Sequence, residues 1–406
     1  MALDFSLSDD VVDLRDRIRR FIDEEIAPAE AECGEDRRRL REAVGRLRRR
    51  AHDLGLWNPH LPAEWGGMGL GPIAMATVSA ECGRSRIASF VLNCQAPDEG
   101  NMHTLERFGT EKQKETYLRP LAEGRCRSCF ALTEPEVAGS DPTGIQTHAE
   151  RDGDQWVING HKWFISGAHG ARFAIVVART DPDADPPQAR NTAFLVDADN
   201  PGWQIVRDIE TMAGHHNHCE VRLTDCRVPN DAILGERGGG HLLGQARLGP
   251  GRLAHCMRWL GQCEQVLGMM TERSLGRRLH GGVLADKQGI QWMISRSAME
   301  LYQGKLMVLH AAYLLEKGMP FRQEISMAKY HVANTLWRIL ERAIQVHGGL
   351  GYSSDSPLEK MMRQARSARL VDGADEVHLT QMARFVVRAY QNEGSTRSAT
   401  GYGLLY

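Results

Sequence analysis

The sequence predicts a mainly α-helical protein built around a central β domain. A helical segment is expected over residues 1–125, a β segment over 126–236 and a helical bundle over 237–406. Three observations predict this. Apolar residues recur at helical spacing before residue 125. From about Cys126 the pattern becomes that of strands. From about Gly240 it turns helical again and stays so. The 406 residues exceed one typical hydrophobic core, which suits two or three domains.

At the start, Ser8 followed by Asp9 and Asp10 reads as a capping hydroxyl with acids at the positive end of a helix dipole. Leu14, Ile18, Phe21 and Ile22 fall on one face, and Pro28 is expected to end or bend that helix. Leu40, Val44, Leu47, Ala51 and Leu54 mark a second amphipathic helix. Its other face, Arg37 to Arg50, is arginine-rich. Without interleaved aromatics it reads as a solvated face rather than a nucleic-acid site. In the β segment, residues 173–177, 192–196, 203–206 and 220–223 read as strands, and the Pro/Asp-rich run 181–190 as an exposed loop. In the last segment Ile290, Met293, Ile294, Ala298 and Leu301 keep helical spacing. So do Val332, Leu336, Ile339, Leu340 and Ile344.

Composition removes several function classes. A net charge of −2 gives no global attraction to nucleic acid or membrane surfaces. Nine scattered cysteines form no disulfide framework and fit a reducing, cytoplasmic setting. The opening MALDFSLSDD lacks the pattern of a signal peptide, and no apolar run approaches the ~18 residues of a membrane span. The pair Cys126 and Cys129 has no second such pair. The cluster His215, His216 and His218 sits in a loop-like setting. Neither is expected to bind a metal. No G-x-G-x-x-G follows a strand, so no Rossmann dinucleotide site is indicated.

The most informative stretch runs from Phe130 to Ser166, FALTEPEVAGSDPTGIQTHAERDGDQWVINGHKWFIS. Trp156–Ile158 and Trp163–Ile165 are β-formers with Asn159-Gly160 between them, which predicts a tight hairpin there. Thr133, Glu134, Pro135, Gly139 and Ser140 predict a strand that ends in a polar, tightly turned loop. The stretch resembles the flavin-facing signature of the acyl-CoA dehydrogenase family, a TEP-x-x-GSD loop followed by NG-x-K-x-W/F-I-S/T. The resemblance implies an N-terminal helical domain, a middle β-barrel or sandwich and a C-terminal four-helix bundle. It also implies that FAD is the cofactor. Phe130, Leu132, Thr133 and Ser140, then Phe164, Ile165 and Ser166, would hold or cover the flavin ring, with Ser140 also near substrate.

Three further segments resemble the same family, so the match covers nearly the whole chain. Gln345-Val346-His347-Gly348-Gly349 looks like its Q-x-x-GG segment, whose glycines allow close approach to the pyrophosphate-adenosine part of FAD, often on a neighbouring subunit. Arg277, eleven residues before Gln288, matches an arginine that reaches a neighbour's FAD, where it can pair with phosphate oxygens. The loop Arg369-Leu370-Val371-Asp372-Gly373-Ala374-Asp375-Glu376 is similar to the family's base-bearing loop, closest to the branch with D-G-x-D-E-V-H. There Asp372 would be the base, Gly373 would lie against substrate, and Ala374 and Glu376 would contact cofactor. A rival base position just before a bundle arginine is held here by Gly251, and the following Arg252 would support the substrate site.

The implied reaction is α,β-dehydrogenation of an acyl-CoA or related acyl thioester in fatty-acid metabolism, with electrons passed to an electron-transfer flavoprotein or similar acceptor. A homotetramer, or at least a dimer, is implied as well. The sequence leaves open a flavin oxidase or N-hydroxylase on the same fold and, more remotely, a non-catalytic nucleic-acid-associated relative.

Overall fold

The computed structural model describes residues 6–400, apart from the side chains of residues 215–217. The chain ends and the side chains of His215 and His216 therefore lie outside the described residues. The fold is helical at both ends of the chain with a β sheet in the middle, 58% helical and 17% strand. Packing divides the chain into two units. Among the described residues, one holds those up to 56, 70–91 and those from 252 onward, and the other holds 57–69 and 92–251. The three consecutive segments thus describe order along the chain, while packing groups the first helices with the last.

In the helical unit, α1 (Asp9–Phe21) starts behind Ser8, with Asp9 and Asp10 in its first turn. The Ser8 hydroxyl makes no cap bond, so the acids alone complement the helix dipole. Pro28 does not end the helical run. A π turn over Ile22–Ile26 precedes it, and α2 (Ala27–Cys33) begins with the proline in its first turn. There the missing N–H costs no bond. In α3 (Arg37–Asp53) the Asp36 side chain caps the first turn. Its arginines meet acids of the same unit, Arg38 with Glu42, Arg39 with Glu32 and Arg50 with Glu25. After α4 (Pro72–Cys82), the bundle core forms between buried apolar residues of three long helices. Leu253, Met257 and Leu260 come from one, Leu301 and Val308 from the next, and Val332, Leu336 and Ile339 from the third.

The other unit carries a sheet in the order β6-β7-β3-β2-β4-β5-β8, with β1 paired parallel to β4. The strands are β1 (Arg127–Ala131), β2 (His148–Asp152), β3 (Gln155–Ser166), β4 (Ala171–Arg179), β5 (Asn191–Asp197), β6 (Trp203–Thr211), β7 (Gly214–Pro229) and β8 (Ile233–Leu234). A helix, α5 (Asp98–Phe108), packs on this sheet. The continuous apolar run in β4 has a direct cause, because both of its faces are buried. Phe173 and Ile175 join a core with Met102 and Leu105 of α5. Ala174, Val176 and Ala178 join a second core with Trp156 and Ile158.

The hairpin expected at Asn159-Gly160 is absent. β3 runs unbroken through that pair, and the turn falls earlier, at Gly153 (φ +63°), between β2 and β3. Asn159 spends its side chain on the neighbouring strand, where its Oδ1 accepts the Asp225 N–H at 2.8 Å beside a bulge in β7. Gly160 is required by space instead of by turn geometry. A Cβ there would lie 2.2 Å from Thr147 Oγ1. Gly160→Val is therefore expected to cost about 1–3 kcal/mol as an overpacked site, read from denaturant midpoints. Among the described residues no helix is long and apolar enough to cross a membrane.

Candidate active site

Phe164 sits on the sheet in an unusual way. The β3–β7 register slips between Lys162 and Ile165, which leaves one extra residue on β3, and Phe164 takes φ +53°. A bulky residue at positive φ is a backbone outlier of the kind that gathers at ligand sites. The bulge separates two neighbours sharply. Phe164 is 45% exposed, whereas the next residue, Ile165, is 1% exposed and belongs to the sheet core. Only the backbone of Ile165 can then meet a ligand, not its side chain.

The loop after β1 is fastened to this bulge. Thr133 Oγ1 donates to Trp163 O at 2.6 Å, and Trp163 N–H donates to Thr133 O at 3.1 Å. Lys162, fully buried, donates to Leu132 O (3.0 Å), Glu134 Oε1 (2.8 Å) and Val177 O (2.8 Å). Glu134 in turn accepts from the N–H groups of Gln146 and Thr147. Phe130 is half-buried under the Arg247 guanidinium, 4.2 Å from its ring centre. Ser140 is exposed, and Ser166 Oγ lies 2.8 Å from His218 Nδ1. The buried pair Lys162–Glu134 escaped the sequence reading. Its signal was a lysine leading directly into the apolar run Trp163-Phe164-Ile165.

The helical unit builds a second constellation around Asp372. The loop leads into a helix over Asp375–Glu393, with Ala374 at its N-cap position. Asp372 has φ +53° and Gly373 φ +103°, so two successive residues are outside the ordinary region, and glycine suits the second. Four contacts hold this backbone. Arg252 Nε donates to Asp372 O at 2.7 Å, and Lys329 Nζ donates to Gly373 O at 2.6 Å. Buried Asp375 accepts from Arg369 Nε (2.7 Å) and Asn334 Nδ2 (3.1 Å). The Asp372 carboxylate itself is left facing His255, whose Nε2 is 3.4 Å from Oδ2 and whose ring stacks on Trp259.

Electrostatics under the loop follow from burial. The His378 imidazole, against Gly373, is pushed down to about 4 by burial first, with Lys329 and Arg252 adding, so it is neutral near pH 7. Burial also lowers Lys329 and pushes the adjacent Cys256 thiol up to about 12. Sequence reading missed His255 and Lys329. Arg252 and His255 stand three residues apart on one helix face, which was the available signal. Arg252, expected beside substrate, holds the loop carbonyl.

The residues expected at the nucleotide part of the cofactor are mostly on the surface of this unit. Arg277, Gln288, Gln345, Gly348, Gly349 and Glu376 are exposed, His347 and Ala374 are half-buried, and the Val346 side chain is in the core. A Cβ at Gly348 or Gly349 would meet nothing, so the space beside both is open.

The sequence matches three parts of one family in order. These are the acyl-CoA dehydrogenase N-terminal domain over residues 8–125, the middle domain over 129–226 and the C-terminal domain over 238–387. The chain belongs to the acyl-CoA dehydrogenase family. It is 40% identical over 396 residues to the protein named "Probable acyl-CoA dehydrogenase FadE2" of Mycobacterium tuberculosis, covering 94% of this chain and 96% of that one. It is 38% identical over 399 residues to acyl-CoA dehydrogenase family member 10 of Mus musculus. That match covers 94% of this chain but only 37% of the mouse protein. The solved structure of a Mycobacterium abscessus protein assigned to the acyl-CoA dehydrogenases superposes with a TM-score of 0.90 at 36% identity. It covers 95% of this chain and 100% of that one.

The chain is an oxidoreductase of this class, and FAD is its cofactor. Its own residues fit that group. An outward-facing aromatic on a bulge, flanked by hydroxyls and by a loop tied down through Thr133 and Lys162, offers a flat apolar cover with polar edges.

Proposed function

We propose that this chain oxidises the Cα–Cβ bond of an acyl-CoA, or a related acyl thioester, with Asp372 as the base that removes the α-proton. The observation that carries the reading is the state of Asp372. Its backbone is clamped through Arg252 and Lys329 in a left-handed turn, while its carboxylate stays partly exposed with the His255 imidazole 3.4 Å away. A base needs that combination of fixed position and open carboxylate. Arg252 and Lys329 act by positioning the loop, and Gly373 lets the chain turn past the substrate.

FAD, when bound, accepts the β-hydrogen as hydride. In this reading Phe130, Leu132, Thr133, Ser140, Phe164, Ile165 and Ser166 serve its ring. Arg277, Gln288, Gln345, Val346, His347, Gly348, Gly349, Ala374 and Glu376 serve the remainder, in part on a neighbouring subunit of a homotetramer or dimer. In this reading the flavin platform falls within residues 126–236 and the base within 237–406, after the helical segment 1–125. Electrons leave to an electron-transfer flavoprotein, and the thiol-rich composition suits a cytoplasmic enzyme.

The test is anaerobic bleaching of the oxidised flavin by a panel of acyl thioesters of different length and branching. Bleaching by at least one, with a dye acceptor restoring the colour, supports the reading. Peroxide formation in air as the main outcome would favour an oxidase, and no bleaching by any thioester would reject the substrate class. The flavin platform has a separate check. Phe164→Ala is expected to weaken FAD about tenfold or more, since an aromatic cover is lost. Unchanged affinity and an unchanged flavin spectrum would remove Phe164 from the site.

A further inference from the structure

Three side chains of different chemistry converge on the sheet beside the Phe164 bulge, where Cys219 pairs with Ile165. Asp208 of β6 and Cys219 of β7 are direct cross-strand partners, so the ladder fixes their separation. His169 comes from the turn between β3 and β4. Its Nε2 lies 3.0 Å from Asp208 Oδ1, and Cys219 Sγ lies 3.4 Å from the same oxygen. The three donor atoms all fall within 4.8 Å of one another. In a tetrahedral zinc centre the donors stand about 3.3–3.7 Å apart, given metal bonds of ~2.0–2.3 Å to nitrogen, oxygen and sulfur. The spacing therefore needs only small side-chain rotations.

We infer that His169, Asp208 and Cys219 form a three-ligand site for a zinc-class divalent cation. Imidazole, carboxylate and thiolate together favour zinc over magnesium or calcium, which prefer all-oxygen sites. Cys219 is fully buried at the floor, while His169 and Asp208 are about half exposed. The fourth position then opens to solvent, where water completes the tetrahedron. The proton balance is simple. Zinc takes the thiol sulfur of Cys219, one proton leaves to solvent, and nothing is oxidised or reduced. Without the cation the thiol donates to Asp208 Oδ1 at 3.4 Å. A hydrogen bond from the His169 backbone N–H to the sulfur works in the opposite sense and suits a thiolate.

The alternative is a plain hydrogen-bonded cluster, and the experiment separates the two. The FAD-loaded full chain is stripped with a chelator and titrated with zinc against a chromogenic competitor. One zinc per chain is expected, with one proton released per zinc in weak buffer and a melting temperature that rises with zinc. Cobalt in place of zinc is expected to give tetrahedral ligand-field bands to the red of the flavin absorption. Cys219→Ser and, as a second variant, Asp208→Asn should each weaken zinc at least ~10-fold while melting like the stripped wild type. No stoichiometric zinc in the wild type, or wild-type affinity in whichever of the two variants folds, overturns the site.

Discussion

Asp372→Asn is expected to give a folded, yellow protein whose flavin is reduced by a good acyl thioester at least ~10³-fold more slowly. The amide keeps the size of the carboxylate. The clamps on this loop act on main-chain oxygens of Asp372 and Gly373, which the substitution leaves in place. Substrate binding and FAD content should therefore stay near wild type, and the loss should appear in the reduction step measured by anaerobic stopped flow. Asp372→Glu should retain part of the activity, because glutamate keeps the carboxylate and moves it by one methylene only. His255→Gln offers a second readout. It removes the imidazole that faces the carboxylate at 3.4 Å, so it should change the pH profile of reduction more than its maximum rate. Glutamate at position 251 is a stricter check. A Cβ there would meet nothing within 4 Å, so the side chain can be added to Asp372→Asn without a local clash. Near-normal reduction in Asp372→Asn with a verified substrate would show that another residue is the base.

Some features were legible in the sequence because one element decides them alone. The run 173–177 announced a strand buried on both faces, and β4 has a different core on each side. The sequence also led to the family through the 130–166 stretch, whose unusual residues recur in a fixed order. Other features depend on partners far along the chain. Asn159-Gly160 looks like a hairpin turn locally, yet the glycine is there because Thr147 approaches within a side chain's width. Local turn preference lost to packing between neighbouring strands. Lys329 and His255 join Asp372 from two other helices; the step from Arg252 to His255 hinted at the second, but no spacing along the chain could announce Lys329. The same holds for His169, Asp208 and Cys219, which only the sheet register brings together. The positive φ of Phe164 was invisible for a related reason, since the bulge that causes it depends on the register with β7.

Lys162→Met is expected to be the most destabilising single change in the β-containing unit. The ammonium is fully buried and donates to Leu132 O, Glu134 Oε1 and Val177 O. Methionine matches the stem and fills the space, so the effect is electrostatic. It leaves two carbonyls and a buried carboxylate without their cation, a loss of about 3–5 kcal/mol. Glu134→Gln in the same chain should recover part of that, because the uncompensated charge is gone. The pH dependence has a definite sign. Burial alone would raise the Glu134 carboxyl, but Lys162 and the hydrogen bonds from Thr147 and Gln146 outweigh it and hold the group below its ordinary 4.5. A carboxyl lowered in the folded state contributes stability that is full above 4.5 and is lost as pH falls through the folded value. The gap between wild type and Lys162→Met should thus be widest near neutral pH and close in acid. The function should follow, because Lys162 ties Leu132 and Glu134 to β3 two residues before Phe164. Thermal release of FAD should precede or coincide with unfolding in the variant, and at a temperature several degrees below wild type. An unchanged melting temperature at pH 7 would mean that water or a rearranged backbone satisfies Glu134 after the lysine is gone, and that the pair does not fasten the flavin platform.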